Sequence, residues 1–311
     1  VGSDKQYDVI MPLDIGVDLL VYGDVRPAFS QVEKLVDDYQ LEMGGSACIC
    51  ATQCAKLGLR VCGLGVAGQD ALGRVCLDAL AGSGVDTTHI HLSETVKTGL
   101  GLILNEGEDR AILTYAGTFS LPRAEMLTDS LLSQARHLHL SSLYLMPDIL
   151  ENALDLVSRS KGLGLSVSLD TNWDPAGRFS GLDEWLPLLD IFFPNMQEAQ
   201  ALGGVERLRA ICRLLVVKDG GQGAVLYRGD DAPIHQAAFP FAYHDSVGAG
   251  DSFAGGFLYG FLQGLPLAEC LRMAAACGGM SLRAYGGERG QGRLDEVRAF
   301  LSAAGGAGPG A

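Results

Sequence analysis

Asp251 is the residue from which chemistry can be read most directly. It closes the stretch Gly248-Ala249-Gly250-Asp251, between a polar loop and the small apolar run Phe253-Ala254-Gly255-Gly256-Phe257. That pattern is a loop turning into a helix. Gly248 and Gly250 let the backbone take conformations closed to other residues and let a ligand come close. The unpaired N–H groups of the helix start then form an anion site facing the loop. Backbone donors for a phosphate, beside a carboxylate able to take a proton, suggest phosphoryl transfer to a hydroxyl. The competing reading is that Asp251 only caps a buried helix.

Other polar clusters invite the same weighing. Asp14 and Asp18 follow the first apolar strand, as ligand-binding carboxylates or as a solvated turn. Gly44-Gly45 precedes a small-residue helix, where backbone could approach a ligand or simply turn tightly. Gly63-Leu64-Gly65-Val66-Ala67-Gly68 is a literal GxGxxG with Asp86 downstream, the pattern of a nicotinamide oxidoreductase. In a chain with 42 glycines such a match is cheap. Cys48, Cys50 and Cys54 share one Ala-rich helix without a CxxC pair or a nearby His, so a metal cluster is not expected. His89 with His91, and His137 with His139, lack further ligands within reach and are expected at exposed or edge-strand positions.

Composition bounds what these residues can serve. The chain has 311 residues, 48% of them hydrophobic and 19% charged, enough for a substantial core. A net charge of −14 argues against a nucleic-acid partner and against an anionic membrane surface. No apolar run approaches the ~20 residues of a membrane span, so no membrane is expected. The N-terminal Val1-Gly2-Ser3-Asp4-Lys5 lacks a signal-peptide layout. Eight cysteines scattered through apolar runs suit buried thiols in a reducing, cytoplasmic setting.

The elements that must position the polar clusters alternate regularly. Strands are expected at Tyr7 to Leu13, Leu59 to Leu64, Leu138 to Leu140, Leu165 to Leu169, Ile191 to Phe193 and Leu214 to Val217. Helices are expected at Ser46 to Lys56, Pro147 to Ser160, 248–264, 266–284 and Arg293 to Ala303. Repeated strand–loop–helix units imply an α/β fold with a mostly parallel sheet covered on both faces. Ser142, Asp170-Thr171-Asn172, Asn195, Glu198 and Lys218 all follow strands at the same end, where a shared site forms. Residues 98–115 break the pattern with a hairpin, which suggests a small accessory sheet over a ligand. Further strands for it are available near Leu19 to Tyr22 and Leu41 to Met43.

The order of these motifs resembles the ribokinase-like (PfkB) family of sugar and nucleoside kinases, over nearly the whole chain from about Asp8 to Leu301. The segment Asp245 to Phe253 is similar to the family's DTxGAGDxF signature, with Ser246 for the usual Thr. The resemblance implies a three-layer α/β/α domain over residues 1–304, with a small antiparallel β lid from about 17–43 and 97–115, and a flexible tail at 305–311. It implies Asp251 as the base and the Gly248, Ala249 and Gly250 backbone as the anion hole. Asn195 and Glu198 match residues that organise Mg²⁺, its waters and the phosphates of ATP; Lys218, Gly220 and Gly223 match the nucleotide loop. Asp245, Val247, Ser281, Ala284 and Gly286 align with positions that hold a potassium-like cation in many members. Asp18, Gly44 and Gly45 match substrate-hydroxyl contacts, with Asp14 and Ser142 on the same rim.

The departures bear on substrate. Ile49 replaces the Asn of a GGxxxN pattern, and an apolar group cannot supply an amide's hydrogen bonds to ribose. Gly16 stands where ribokinases carry another Asn. Ser46 replaces the Lys of sugar-phosphate kinases. Arg110 is the one candidate for a sugar-acid carboxylate. Asp174 stands where Arg is common in the DxNxR pattern of fructokinase-like members, and Ala275 where some relatives have an Asn near adenine. The expectation is an ATP-dependent kinase of a primary hydroxyl on a neutral sugar, forming a homodimer through an exposed lid edge. Rival readings are a nucleoside kinase, which needs aromatic rings such as Tyr22, Phe29 or Tyr115 to stack on a base, and a non-catalytic sugar-binding relative.

Overall fold

The computed structural model describes residues 5–106 and 109–306; the rest, including most of the expected tail, lies outside the described residues. The first part of the chain runs β1 (Tyr7–Leu13), β2 (Gly16–Tyr22), β3 (Asp38–Gly44), α1 (Ser46–Lys56), β4 (Val61–Gly68), α2 (Ala71–Ser83), β5 (Asp86–Ser93), β6 (Gly99–Glu106) and β7 (Asp109–Tyr115). The middle holds α3 (Asp129–Leu132), β8 (Ala135–Ser141), α4 (Pro147–Glu151), α5 (Ala153–Gly162), β9 (Ser166–Asp170), β10 (Ile191–Phe192), α6 (Met196–Ala201) and α7 (Val205–Ile211). The last part adds β11 (Leu215–Lys218), β12 (Ala224–Tyr227), β13 (Ile234–Gln236), α8 (Ala249–Leu262), α9 (Leu267–Ser281) and α10 (Leu294–Gly306).

Nine strands form one sheet in the order β13-β12-β11-β10-β9-β8-β1-β4-β5. The seven strands from β11 to β5 are parallel, and β12 and β13 close one edge antiparallel. Successive β1 side chains serve opposite faces. Val9, Met11 and Leu13 pack with α1, α2, α8 and α9, whereas Ile10 packs with α3, α4, α5 and α7. That gives three layers and two buried cores, as an uninterrupted apolar strand predicts. A second sheet, β3-β2-β6-β7, pairs antiparallel at β2–β3 and β6–β7 but parallel at β2–β6, so it is mixed, not purely antiparallel.

Two expectations fail for local reasons, and one rival motif reading is removed. The helix expected from Pro147 to Ser160 breaks at Asn152, whose amide donates to the Asp148 carbonyl (2.9 Å) and so competes with the helical ladder. The GxGxxG at 63–68 lies inside β4, not in a phosphate loop. Gly63 and Gly65 leave room for Leu13 of the neighbouring β1, and Asp86 accepts a 2.6 Å bond from the Tyr7 hydroxyl, which removes the dinucleotide reading. His89 and His91 are on edge strand β5 as expected, but His137 and His139 are fully buried on central strand β8. There they bond Ser166 and Ser168 at 2.6–2.7 Å, and burial holds His137 well below the usual imidazole range.

Candidate active site

Because β1, β8, β9, β10 and β11 are parallel, the polar residues that follow each strand gather on one rim. Under the second sheet this rim forms a cleft of ≈ 570 Å³. Asp14, Asp18, Gly45, Arg110, Ser142, Asn195, Glu198, Lys218 and Gly220 line it, together with Val247, Gly248, Ala249, Gly250 and Asp251. Gly44, Gly223, Asp245, Ser281, Ala284 and Gly286 do not line it.

Asp251 lies in the first turn of α8, but Gly248 is the residue at its cap and Asp251 makes no capping bond. The cap-only reading therefore loses its support. Gly248 has φ +71°, and a Cβ there would lie 2.6 Å from the Gly287 Cα and 2.9 Å from Ile49. Only glycine fits. The amides of Gly250 and Asp251 precede the first possible intrahelical acceptor and stay available to an anion. Burial raises the Asp251 carboxyl well above the usual range, and the nearby charge of Asp170 raises it further, while Lys218 and a hydrogen bond from Ser46 pull the other way. A carboxylate so placed takes a proton readily.

At the other end of the cleft Asp14 is a helix anchor. Its oxygens accept from the Ser46 amide (3.0 Å) and the Ala47 amide (2.9 Å) at the start of α1. Gly45, at φ +83°, passes so close that a Cβ would meet the Asp14 carbonyl. Ser142 hydrogen-bonds Asp14 and accepts from the Asn172 amide at 2.9 Å; both residues hold left-handed backbones, φ 51° and 56°. Burial lifts Asp14 to about 6 against these bonds. Asp18, on β2, lies over two neighbours that must be glycine: a Cβ on Gly44 or Gly101 would come within 2.6 Å of its carboxylate. Burial and then the charges of Asp14 and Asp245 push Asp18 up to about 7, with Arg110 opposing.

Sequence reasoning missed Phe119. Its ring rests on the paired Gly16 and Gly99 at the root of the second sheet, where added Cβ atoms would sit 2.3–2.6 Å away. The position expected to have lost an Asn is therefore filled by an aromatic ring that lines the cleft. No local pattern marks Phe119; only the register Gly16↔Gly99 brings it there. Ile49 also lines the cleft, packed against Gly248 and Gly287.

Asn195 and Glu198 form a reciprocal capping box. The Asn195 Oδ1 accepts from the Glu198 amide and a Glu198 carboxylate oxygen accepts from the Asn195 amide, both at 2.8 Å. Asn195 thus caps α6. One Glu198 oxygen and the Asn195 Nδ2 remain for a ligand. Among the described residues no group of three or more His, Cys, Asp or Glu is placed to hold a metal ion. Lys218 reaches from the end of β11 across β10 to Asp170 at the end of β9, Nζ to Oδ2 2.5 Å. Burial pulls the ammonium down, but Asp170 and Glu198 outweigh it and Lys218 stays protonated. Gly223 instead serves the β11–β12 turn, where a Cβ would strike the Gln236 carbonyl.

Asp245 lies behind the anion loop. It accepts from the Val247 amide (3.1 Å) and the Gly286 amide (3.0 Å), tying the two loops together. No ion pair to it is found among the described residues, so a buried carboxylate there fits a nearby cation. The Ser281 hydroxyl is spent on the Gly278 carbonyl at 2.8 Å, which leaves Ser281 and Ala284 only backbone oxygens to offer.

Comparison with known proteins agrees with this geometry. The profile of the pfkB family carbohydrate kinase matches residues 17–291, and the chain belongs to that family. The chain is 28% identical to a ribokinase of Haemophilus influenzae, over 85% of this chain and 89% of that protein. It is 26% identical to a 2-dehydro-3-deoxygluconokinase of Bacillus subtilis, over 86% and 89%. A putative ribokinase II from E. coli, solved in complex with ATP and Mg²⁺, superposes with a TM-score of 0.85 at 23% identity, covering 96% of this chain and 99% of that one. The protein is thus a phosphotransferase of the ATP-using, ribokinase-like fold, acting on a hydroxyl of a small carbohydrate-type substrate.

Proposed function

We propose that this PfkB-family protein transfers the γ-phosphate of ATP to a primary hydroxyl of a neutral sugar, with Asp251 as base. The observation that carries the reading is one wall of the cleft: the available amides of Gly250 and Asp251 beside a buried carboxylate whose proton affinity is raised. Asp251 takes the hydroxyl proton as the sugar oxygen bonds to phosphorus and the bond to the β,γ-bridging oxygen breaks. Charge on the equatorial oxygens meets the preorganised amides of the Gly248-Ala249-Gly250 loop. Asn195 and Glu198 would organise Mg²⁺ through water, the ion supplying charge neutralisation on the phosphates. Asp245, Val247 and Gly286, with the carbonyls of Ser281 and Ala284, would hold a potassium-like cation. Lys218 and Gly220 stand on the nucleotide side.

Substrate choice rests on the other end. Ionised Asp18 accepts from sugar hydroxyls, and Gly45 admits the sugar to the helix start. A nucleoside reading is weakened because Phe29 is 89% exposed, Tyr115 is 51% exposed, and Tyr22 stacks on Tyr285. None of the three lines the cleft. Arg110 lines it and favours a sugar acid as second reading. The small sheet, read as a lid on a single kinase domain, would pair with its copy in a homodimer. Eight buried, unpaired cysteines suit the cytoplasm. A panel of neutral sugars, sugar acids and nucleosides with ATP and Mg²⁺, followed by ADP release, tests the reading. Asp251→Asn is expected to lose about a hundredfold or more in kcat. Equal rates in variant and wild type would exclude Asp251 as base.

A further inference from the structure

We propose that Lys218 is a catalytic cation that contacts the transferring phosphoryl group, and that Asp170 is the positioning residue that aims it. The proposal rests on the kinase reading above. Three observations converge on it. First, the Lys218 Nζ would lie 3.3 Å from a Cβ built on Gly250, so the ammonium sits against the backbone of the anion loop. Second, the Lys218 side chain is 13% exposed and opens on the cleft, whereas Asp170 is 1% exposed and does not line it. Third, the pair is half-satisfied: Asp170 Oδ1 has no partner, and Asp170 is the one hydrogen-bond acceptor that Lys218 has among the described residues.

A buried ion pair kept only for stability needs saturated hydrogen bonding, since desolvation otherwise exceeds the Coulombic gain. Here the ammonium keeps donors beside the place where a phosphate would meet the amides of Gly250 and Asp251. The surrounding charge points the same way. Asp170, Glu198 and Asp251 surround one ammonium, so without it an anionic phosphoryl group would enter a purely negative wall. In the transfer step Lys218 neither gives nor takes a proton. The proton goes from the sugar hydroxyl to Asp251, the new O–P bond forms, the old one breaks, and Lys218 meets charge building on an equatorial oxygen.

The test uses the full chain, with Lys218→Met, Asp170→Asn and the double variant, each checked for native thermal unfolding. Steady-state kcat and KM are read on the best sugar, and affinity for Mg-ADP is read with and without aluminium fluoride, a planar phosphoryl mimic. Lys218→Met is expected to lose about a hundred- to a thousandfold in kcat, as loss of one oxyanion donor does, with KM for sugar within a few fold. The gain in Mg-ADP affinity on adding aluminium fluoride should vanish, while affinity without it is kept. Asp170→Asn should lower kcat less and leave both KM values nearly unchanged. The double variant removes both charges and covers the case in which a lone buried Asp170 unfolds the single variant; its kcat should be as low. Recovery of kcat in the double variant, or a Lys218→Met enzyme within threefold of wild type, would overturn the role while loss in Asp251→Asn still upheld the kinase reading. A wild type with no turnover on any acceptor would overturn both.

Discussion

Replacing Asp18 by Asn should stabilise the ligand-free protein, and by an amount that grows with pH. The carboxyl is raised from its ordinary 3.8 to about 7 by burial on β2 and by the charges of Asp14 and Asp245. A native carboxyl raised above its unfolded value contributes stability at low pH that is lost as pH rises through the native value. Between about pH 5.5 and about pH 8.5 the unfolded chain is already ionised, while the native Asp18 keeps its proton up to about pH 7. That leaves ~1.5 pH units of differential protonation, at ~1.4 kcal/mol each, or ~2 kcal/mol. Asn mimics the protonated acid, so the two proteins should be nearly equal only below the ordinary value of 3.8, where both states of the wild type keep the proton; at about pH 5.5 the variant should already lead by ~2 kcal/mol. At about pH 8.5 the lead should reach ~4 kcal/mol, so it grows by ~2 kcal/mol between the two pH values, or roughly 3 °C in Tm. Asp14 titrates in both and cancels to first order. Urea unfolding at the two pH values measures the difference directly. A saturating sugar should shrink it at high pH, because hydroxyl donors stabilise the ionised form that Asn cannot adopt. A variant whose advantage is the same at both pH values would show that Asp18 is not held protonated, and the reasoning from its burial would fall.

Two further substitutions test the walls of the cleft. Gly248→Ala forces a side chain into φ +71° and onto the Gly287 Cα, so it should cost about 1–3 kcal/mol in urea unfolding. It should also lower kcat by about a hundredfold as the amides lose their aim. Phe119→Ala should destabilise by about 3–5 kcal/mol, the cost of a buried aromatic, yet raise kcat/KM for bulkier sugars relative to the best wild-type substrate. A uniform fall across the sugar panel would make Phe119 a packing residue only.

What could be read from sequence divides by physical range. Gly248 to Asp251 was legible as a turn into a helix because glycines followed by small residues mark such a start, with an acid in the first turn. The parallel sheet was legible because its strands are apolar throughout and each ends in a polar cluster. Partners that depend on register were not legible. Phe119 reaches the cleft only because Gly16 pairs with Gly99, and Lys218 finds Asp170 only because β10 between them is short. His137 and His139 look like surface residues in isolation, yet Ser166 and Ser168 of the adjacent strand satisfy them inside the core. Asn152 and Asn195 show the same limit at shorter range: one breaks a helix and the other starts one, through side-chain bonds that spacing alone does not reveal.

The acidic balance of the chain then takes on a mechanistic meaning. Asp14, Asp18, Glu198 and Asp251 line one cleft against Lys218 and Arg110. Burial raises all four; the charges of Asp14 and Asp245 add to it at Asp18, that of Asp170 at Asp251 and, despite the opposing pull of Lys218, at Glu198. Such a cleft repels a bare polyphosphate. It admits one that arrives with its own cation, and each cation that enters lowers the proton affinity of the carboxyls around it. Asp251 therefore need not be a strong base throughout the cycle. On the kinase reading proposed above, a Mg²⁺ held beside Glu198 would join Lys218 in favouring the ionised form of Asp251, with the phosphates of the nucleotide opposing it.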